Sequence, residues 1–321
     1  LDGACRITDI PDALKNAGQD CLAITDHGVM YGAVDFYKTC KKAGIKPIIG
    51  CEIYVSPKSR FDKDKRDGDY SHLVLLCKNE IGYKNLISIV SSAFTEGFYV
   101  KPRADLELLE KHSEGLIALS ACLGGAVPQR IIAADYEGAR VYANKLKRIF
   151  KDGFYLELQH HGIPEQTTVN DELVKMSKEL DIPLVATNDV HYLQKSDAQK
   201  QAVLMCIQTN TTLDEGRHKG FERDEFYLKS TEEMYKLFAD VPEALENTVK
   251  IAEECNFDFC FDKLFLPAFY PPDGLSSKEY LRALCETGFE KRKEQAQKHG
   301  GALDEKVYRE RLDYELSVVD K

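Results

Sequence analysis

No apolar run in this sequence reaches the ~18–20 residues that a membrane-spanning helix needs, so a globular chain with no membrane partner is expected. A secretory leader is also missing: the opening LDGACRITDI has neither a basic start nor an apolar stretch. There is no initiator Met, and the final YRERLDYELSVVDK keeps an amphipathic pattern with no stop signal, so both ends are expected to be cuts in something longer. Basic excess is lacking, since the net charge is −10. A broad nucleic-acid-binding face needs Lys and Arg to displace counterions; the balance argues against one but leaves room for a metal site that bridges to phosphate. Paired cysteine motifs are absent too. The ten cysteines are scattered, several of them (Cys21, Cys40, Cys51, Cys77, Cys206) inside apolar stretches, and Cys255 and Cys260 have no matching second pair. That argues against a zinc ribbon and for reduced thiols in a cytoplasmic setting. No internal repeat or low-complexity tract is visible.

What is present is an alternation of apolar runs and helical patterns. CLAIT (21–25), KPIIGCEIYV (46–55), HLVLLC (72–77), LIALSA (116–121), FYLELQ (154–159) and PLVATN (183–188) read as strands. Helices are expected over 30–42, 79–94, 136–150 and 165–180. Strands alternating with helices predict an α/β fold with mostly parallel pairing. After about residue 195 the strand patterns stop. Residues 231–256 read as two helices broken at Pro242, followed by the Pro-rich turn FLPAFYPPDG and two more helices. The expected division is therefore an α/β domain over 1–230 and a mostly helical region over 231–321.

Metal-type side chains gather where the apolar runs end. AITDHG puts Asp26 and His27 just past the first strand, PIIGCE puts Glu52 late in the second, LIALSAC puts Cys122 past another, and PLVATNDVH puts Asp189 and His191 past the last. Active sites in barrel-like and open α/β folds lie at the C-terminal strand edge. His72 begins its strand instead, but an antiparallel hairpin of EIYV with SHLVLL would return it beside Glu52. In an extended Asp-x-His segment, Asp189 and His191 would point the same way. Imidazole and thiolate suit zinc or iron, and carboxylates can bridge ions or take manganese; paired ions suit phosphodiester hydrolysis. Each residue also has a plain structural reading: a buried His held by hydrogen bonds, a small core thiol, a TDHG turn. The basic run Lys58, Arg60, Lys63, Lys65, Arg66 alternates with Asp62, Asp64, Asp67 and Asp69 and reads as a solvated loop.

The segments LAITDHGVMYGAVDFYKTCKKAGIKPIIGCEIYV, SHLVLLCKNEIGYKNL, GLIALSACLGG and IPLVATNDVHYL resemble the PHP domain of bacterial DNA polymerase III alpha subunits, the C-family replicative polymerases. The likeness continues through FYLKSTEEMYKLFADVPEALENTVKIAEECN and FLPAFYPP, and so covers nearly the whole chain. It implies a distorted (β/α)7 barrel followed by a helical region leading into the polymerase palm and thumb. It also implies a mouth holding up to three divalent ions (zinc, manganese, magnesium or iron). The implied metal ligands are Asp2, His27, Glu52, His72, Cys122, Asp189 and His191, with Asp189, His191 and Glu52 as the catalytic set. A His-x-His pair that precedes LDGA in the family has no counterpart in this sequence, so the resemblance implies a partial cluster. The polymerase aspartates would lie beyond residue 321. Three functions follow: an N-terminal piece of a replicative polymerase with an exonuclease-like phosphoesterase site, partnered by a DNA primer terminus and replisome subunits; a PHP domain that binds metal for stability alone; and a stand-alone phosphatase for small phosphate esters, against which the segment 226–271 argues.

Overall fold

A computed structural model describes residues 2–64, 69–213, 223–264, 266–301 and 303–320. The chain divides into two compact units, Leu1–Phe259 and Cys260–Lys321.

The first unit is built on β1 (Cys21–Ile24), β2 (Lys46–Val55), β3 (Ser71–Cys77), β4 (Arg103–Ala104), β5 (Leu116–Leu119), β6 (Phe154–Leu158) and β7 (Leu184–Ala186). These form one mixed sheet in the order β1-β2-β3-β5-β6-β7, with β4 paired to β2. The β1–β2, β2–β4, β5–β6 and β6–β7 pairings are parallel; β3 runs antiparallel to both β2 and β5. The sheet is strongly curled. Laid flat, ~4.8 Å per strand would hold β1 and β7 roughly 24 Å apart, yet the rings of His27, past β1, and His191, past β7, are centred 6.2 Å apart.

Helices cover the outer face: α1 (Ile10–Asn16), α2 (Ala33–Lys42), α3 (Glu80–Thr95), α4 (Leu106–Lys111), α5 (Ala126–Ile132), α6 (Tyr136–Phe150) and α7 (Pro164–Leu180). The larger core lies beneath them, with Leu14, Phe36, Leu86, Leu109, Leu146 and Leu173 fully or almost fully buried against Ile49, Leu75, Ala118 and Leu156. Period-two alternation sends the other strand residues inward. Ile48, Val74, Leu76, Ile117, Leu119, Tyr155 and Val185 form a second cluster on that inner face. The same alternation carries polar groups onto this face: Glu52 follows Ile48 and Gly50, His72 precedes Val74, and Glu157 follows Tyr155. The inner face is thus apolar at one end and polar at the other.

Beyond β7 come α8 (Ala198–Thr209), α9 (Thr231–Leu237) and α10 (Pro242–Glu254). Ser230 and Glu233 close a reciprocal capping box that starts α9, and Pro242 opens α10 where its missing N–H costs nothing. α10 plugs the apolar end of the inner face with Ile251 and Cys255. Its Asn247 donates from Nδ2 to the Leu184 carbonyl on β7 at 2.8 Å. The second unit holds α11 (Ser277–Lys298) and α12 (Glu305–Val319), an antiparallel pair joined by Arg282–Asp313, Arg309–Glu286 and Lys293–Glu305 ion pairs. All ten cysteines are free. No helix among the described residues is long and apolar enough to cross a membrane.

Two local expectations need correction. The basic run is not simply a solvated loop: Arg60 is buried and pairs with Asp105 at 2.9 Å and Glu96 at 2.6 Å, while Lys65, Arg66 and Asp67 lie outside the described residues. Its local acids are not what neutralise Arg60; carboxylates brought in by α3 and the start of α4 do so. The last strand is shorter than PLVATN suggests: Thr187 N still donates to the Leu158 carbonyl of β6 at 3.0 Å, but the side chains of Thr187 and Asn188 go to Glu157 and to the Tyr227 carbonyl as the chain leaves the sheet.

Replacing Asn247 by Ala leaves the Leu184 carbonyl buried without its side-chain donor. A loss of about 1–3 kcal/mol is expected for such a group, read as a lower midpoint in urea unfolding of this chain.

Candidate metal centre

The polar end of the inner face collects side chains from six places in the chain. β1 runs out at Ile24, and the next residues stay tied to β2: Glu52 N donates to the Asp26 carbonyl at 3.1 Å and Gly28 N donates to the Glu52 carbonyl at 2.8 Å. His27 therefore stands beside Glu52. Gly28 has φ +67°, and a Cβ there would lie 2.9 Å from Tyr54 Cε2, so this turn needs glycine. His72 pairs with Tyr54 across the β2–β3 ladder, and its side chain shares a face with Glu52 as a diagonal neighbour.

The geometry is close. His27 Nε2 is 3.1 Å from Asp2 Oδ2, and His27 Nδ1 is 3.5 Å from Glu52 Oε1. His72 Nδ1 crowds the same Glu52 oxygen and lies 3.5 Å from Cys122 Sγ. Gly124 permits this approach, since a Cβ there would sit 2.9 Å from His72 Nδ1. Among the described residues two groups of three donors each gather within 4.8 Å: Asp2, His27 and His191; and His27, Glu52 and His72. Either could hold a divalent ion, and His27 belongs to both. His27 Nδ1 and Glu52 Oε1 are buried without a hydrogen-bond partner. Two orphaned polar atoms 3.5 Å apart are costly, and a cation between them would satisfy both, so these residues fit a metal.

Asp189 and His191 reach the site differently from the extended reading. Asp189 has φ +45°, in the left-handed region, so the two side chains are not aligned by strand geometry. Instead His191 Nδ1 lies 2.7 Å from the Asp189 carbonyl and 3.7 Å from its Oδ1. His191 enters the first triad; Asp189 belongs to neither triad but flanks His191. Cys122 likewise stands outside both triads, against His72.

Further residues position the site. His191 N donates to the Phe226 carbonyl, Ala4 N to the His191 carbonyl, and Gln201 to the Asp2 carbonyl. Behind Asp189, the fully buried His161 has Nε2 2.9 Å from the Asn188 carbonyl and Nδ1 2.8 Å from the Gln166 amide nitrogen. That amide can only donate, so Nδ1 accepts and Nε2 carries the proton. Asn188 Nδ2 in turn donates to the Glu225 and Tyr227 carbonyls. Glu157, also buried, accepts from Ala121 N at 2.9 Å and Thr187 Oγ1 at 2.6 Å. It holds the turn before Cys122, where Ala121 has φ +65°. Tyr54 and Tyr70 wall the imidazoles: Tyr70 stacks on His72 at 6.0 Å, and Tyr54 lies 6.3 Å from His27. Glu157, one carboxylate in the otherwise apolar FYLEL, is a signal visible in the sequence; nothing there marks His161 or the tyrosines.

The titration of these groups follows their neighbours. The hydrogen bond to Asp2 and the nearby Glu52 raise His27 to about 9 against burial, and the same hydrogen bond, with the charge of His27 and His191, holds Asp2 well below the usual carboxylate range. Burial pushes Glu52 up, but His72, His27 and His191 outweigh it and its carboxyl is lowered. Burial raises Asp189, with His191 opposing and Glu52 adding. Burial, Glu52 and Asp189 together push the Cys122 thiol well above its ordinary value. A bound cation would reverse the last two. Burial lowers His161 to about 4 and raises Glu157 to about 7.

A family model for the PHP domain matches residues 1–161. The chain is 46% identical over 323 aligned residues to a DNA polymerase III subunit alpha of Borreliella burgdorferi, covering 99% of this chain and 28% of that one. It is 42% identical to the subunit of the same name from Treponema pallidum, covering 99% and 27%. The chain thus spans little more than a quarter of these relatives' length. Among solved structures, one described as a metal-dependent phosphoesterase from Bifidobacterium adolescentis aligns over 74% of this chain and 92% of its own, at 15% identity and a TM-score of 0.39.

His161 yields a pH prediction. Its folded pKa of about 4 lies below the unfolded value near 6.5, so the unfolded state binds the extra proton in between. The stability held above pH ~6.5 is expected to fall as pH drops towards about 4. In His161→Asn this component should vanish, seen as a flatter midpoint-against-pH curve; an unchanged slope would place the proton uptake elsewhere.

Proposed function

The chain belongs to the PHP domain family, and on that premise we propose that it is the N-terminal portion of a replicative DNA polymerase alpha subunit carrying a metal-dependent phosphoesterase site. Residues 1–230 would form the metal-binding domain, and 231–321 would lead towards the polymerase core. The ligands would be Asp2, His27, Glu52, His72, Cys122, Asp189 and His191; zinc, manganese, magnesium and iron all suit this mixed donor set. The single observation that carries the reading is the pair of orphaned atoms, His27 Nδ1 and Glu52 Oε1, buried and facing each other where two donor triads meet.

When bound, divalent ions supply Lewis-acid charge and a water activated near neutral pH. The chain's own residues do the rest. Glu52 brings negative charge into a nearly closed corner, and His27 links the two donor groups. His191 and Asp189 form the face nearest the Asn188 turn, which His161 and the 225–227 backbone hold rigid. Rigid placement of the ligands' supports is what gives a site its affinity. The substrate proposed is a single-stranded DNA end, with the primer terminus and other replisome subunits as partners and the cytoplasm as location. The near-full coverage of this chain by polymerase relatives at 42–46% identity supports it.

The test separates binding from turnover. An ion that binds only the folded chain stabilises it by RT ln(1 + [L]/Kd), about 2.7 kcal/mol at a hundredfold excess. Zinc or manganese should raise the melting temperature over chelator-treated protein, and Glu52→Gln, equal in shape but neutral, should remove most of that rise. Hydrolysis of a single-stranded oligonucleotide should need the same ion and be abolished in Asp189→Asn. A metal-dependent rise with no hydrolysis in the full-length protein would favour the purely structural domain. Identical melting with zinc, manganese and chelator would sink the metal reading altogether.

A further inference from the structure

We propose that Lys101 is a substrate-positioning cation at the rim of the metal-type mouth, gripping a phosphate next to the scissile one on a single-stranded polynucleotide. The proposal rests on the phosphoesterase reading above and names what selects the substrate.

Lys101 sits in a tight reversal between α3 and β4. Tyr99 N donates to the Lys101 carbonyl at 3.0 Å and Lys101 N donates to the Tyr99 carbonyl at 2.7 Å. Between them Val100 has φ +62°, a conformation that β-branched residues rarely adopt. The surroundings hold this turn in place. Arg103, fully buried, donates to the Asp62 carbonyl at 2.6 Å and lies 5.3 Å from the Tyr99 ring. Pairing of Tyr54 with Arg103 ties the segment to β2. Pro102 Cγ lies 3.1 Å from where a Cβ on Gly28 would stand, so the turn packs directly on the residue after His27. Strain over-determined by its surroundings is a mark of positions selected for function.

The turn delivers one charge. Lys101 Nζ lies 5.2 Å from the Tyr54 ring centre. The same ring neighbours the metal-type cluster, with Tyr54 centred 6.3 Å from His27 and 5.4 Å from His72. The ammonium is therefore one aromatic ring away from the donor triads. Among the described residues no carboxylate pairs with it. Three other basic groups of the first unit are, by contrast, spent on acids: Arg60 on Asp105 and Glu96, Lys195 and Lys229 on Glu225. The mouth itself is acidic, through Asp2, Asp26, Glu52 and Asp189. A polyanion entering it must offset that repulsion, and bound metal can do so only at the scissile phosphate. Lys101 offers a second point of attraction, held by the Tyr54 face. A small phosphate monoester has no second phosphate to use it, so Lys101 favours a strand over a small ester.

The test reads binding and turnover separately. Fluorescence anisotropy of a short labelled oligothymidylate with this chain is followed across a salt series for wild type, Lys101→Ala, Lys101→Arg and, as a control on α9, Lys236→Ala. Lys101→Ala should weaken binding roughly tenfold, as for a lost charged hydrogen bond. It should also lower the slope of log affinity against log salt by about 0.7, the value for one phosphate contact on a single strand. Lys101→Arg should restore the slope, and Lys236→Ala should change nothing. KM for p-nitrophenyl phosphate should be unaltered in Lys101→Ala. An unchanged salt slope in Lys101→Ala, in a variant that melts like the wild type, overturns the proposal; so does an equal loss in Lys236→Ala. A reduced slope in a chain that hydrolyses nothing supports the Lys101 contact while removing the hydrolytic reading.

Discussion

Glu52 and His27 confront each other from neighbouring strand ends with a buried oxygen and a buried nitrogen that find no aligned hydrogen bond among the described residues, while His72 Nδ1 presses on the same oxygen. Burial without a partner costs more than most single interactions return. His72 adds a third polar atom to the same corner without hydrogen-bond alignment to Glu52, and Cys122 adds a thiol whose ionisation the burial opposes. An apolar isostere would avoid the penalty, but this sequence keeps four metal-type residues there. A cation held by His27, Glu52 and His72 would meet three of these demands at once, and its charge would favour the ionised form of the nearby Cys122 that burial disfavours.

The rest of the first unit is arranged around that corner. The curl of the sheet brings the ends of β1 and β7 together although they are its two edges. Gly28 lets Tyr54 lie against the turn carrying His27, and Gly124 lets His72 reach across the turn carrying Cys122. On the β7 side the ladder ends with the bond from Thr187 N to the Leu158 carbonyl, just before the site residues. Rigidity comes from polar links instead: His161 and Gln166 beneath, the 225–227 backbone beside, and Ala4 and Gln201 above. α10 closes the apolar end, so the inner face is dry at the bottom and polar at the top.

The amino-acid pattern foretells the parts of this that depend on local spacing. β2 and α6 coincide with the apolar and amphipathic runs that suggest them, and the antiparallel return of β3 brings His72 beside Glu52 as the hairpin reading expects. Features set by distant partners are not legible in that way. β4 has two residues and exists because β2 supplies its hydrogen bonds. Arg60 looks like part of a wet charged loop until Glu96 and Asp105 arrive from other elements. Asp189 reads as extended, yet the demands of the Asn188 side chain and His191 turn it into the left-handed region. The tyrosine wall around the imidazoles has no spacing rule at all; it follows from the register of β2 on β3.

The two donor triads differ in a way that bears on what such a centre can do. Structural metal sites are closed by four protein ligands, whereas catalytic ones keep a position open. In the inner triad the Glu52 side chain is 6% exposed and is pressed upon by both imidazoles, which leaves little room for anything else. In the outer triad Asp2 is 33% exposed and His27 29%, and three donors leave a tetrahedral ion one vertex short. An ion held inside would serve chiefly to settle the buried charges, and one held outside would be the one that a substrate oxygen can reach. His27, common to both, would couple the two positions: an ion inside would take Nδ1 and leave the remaining ring proton on Nε2 towards Asp2, so a second ion outside would need that proton removed as well.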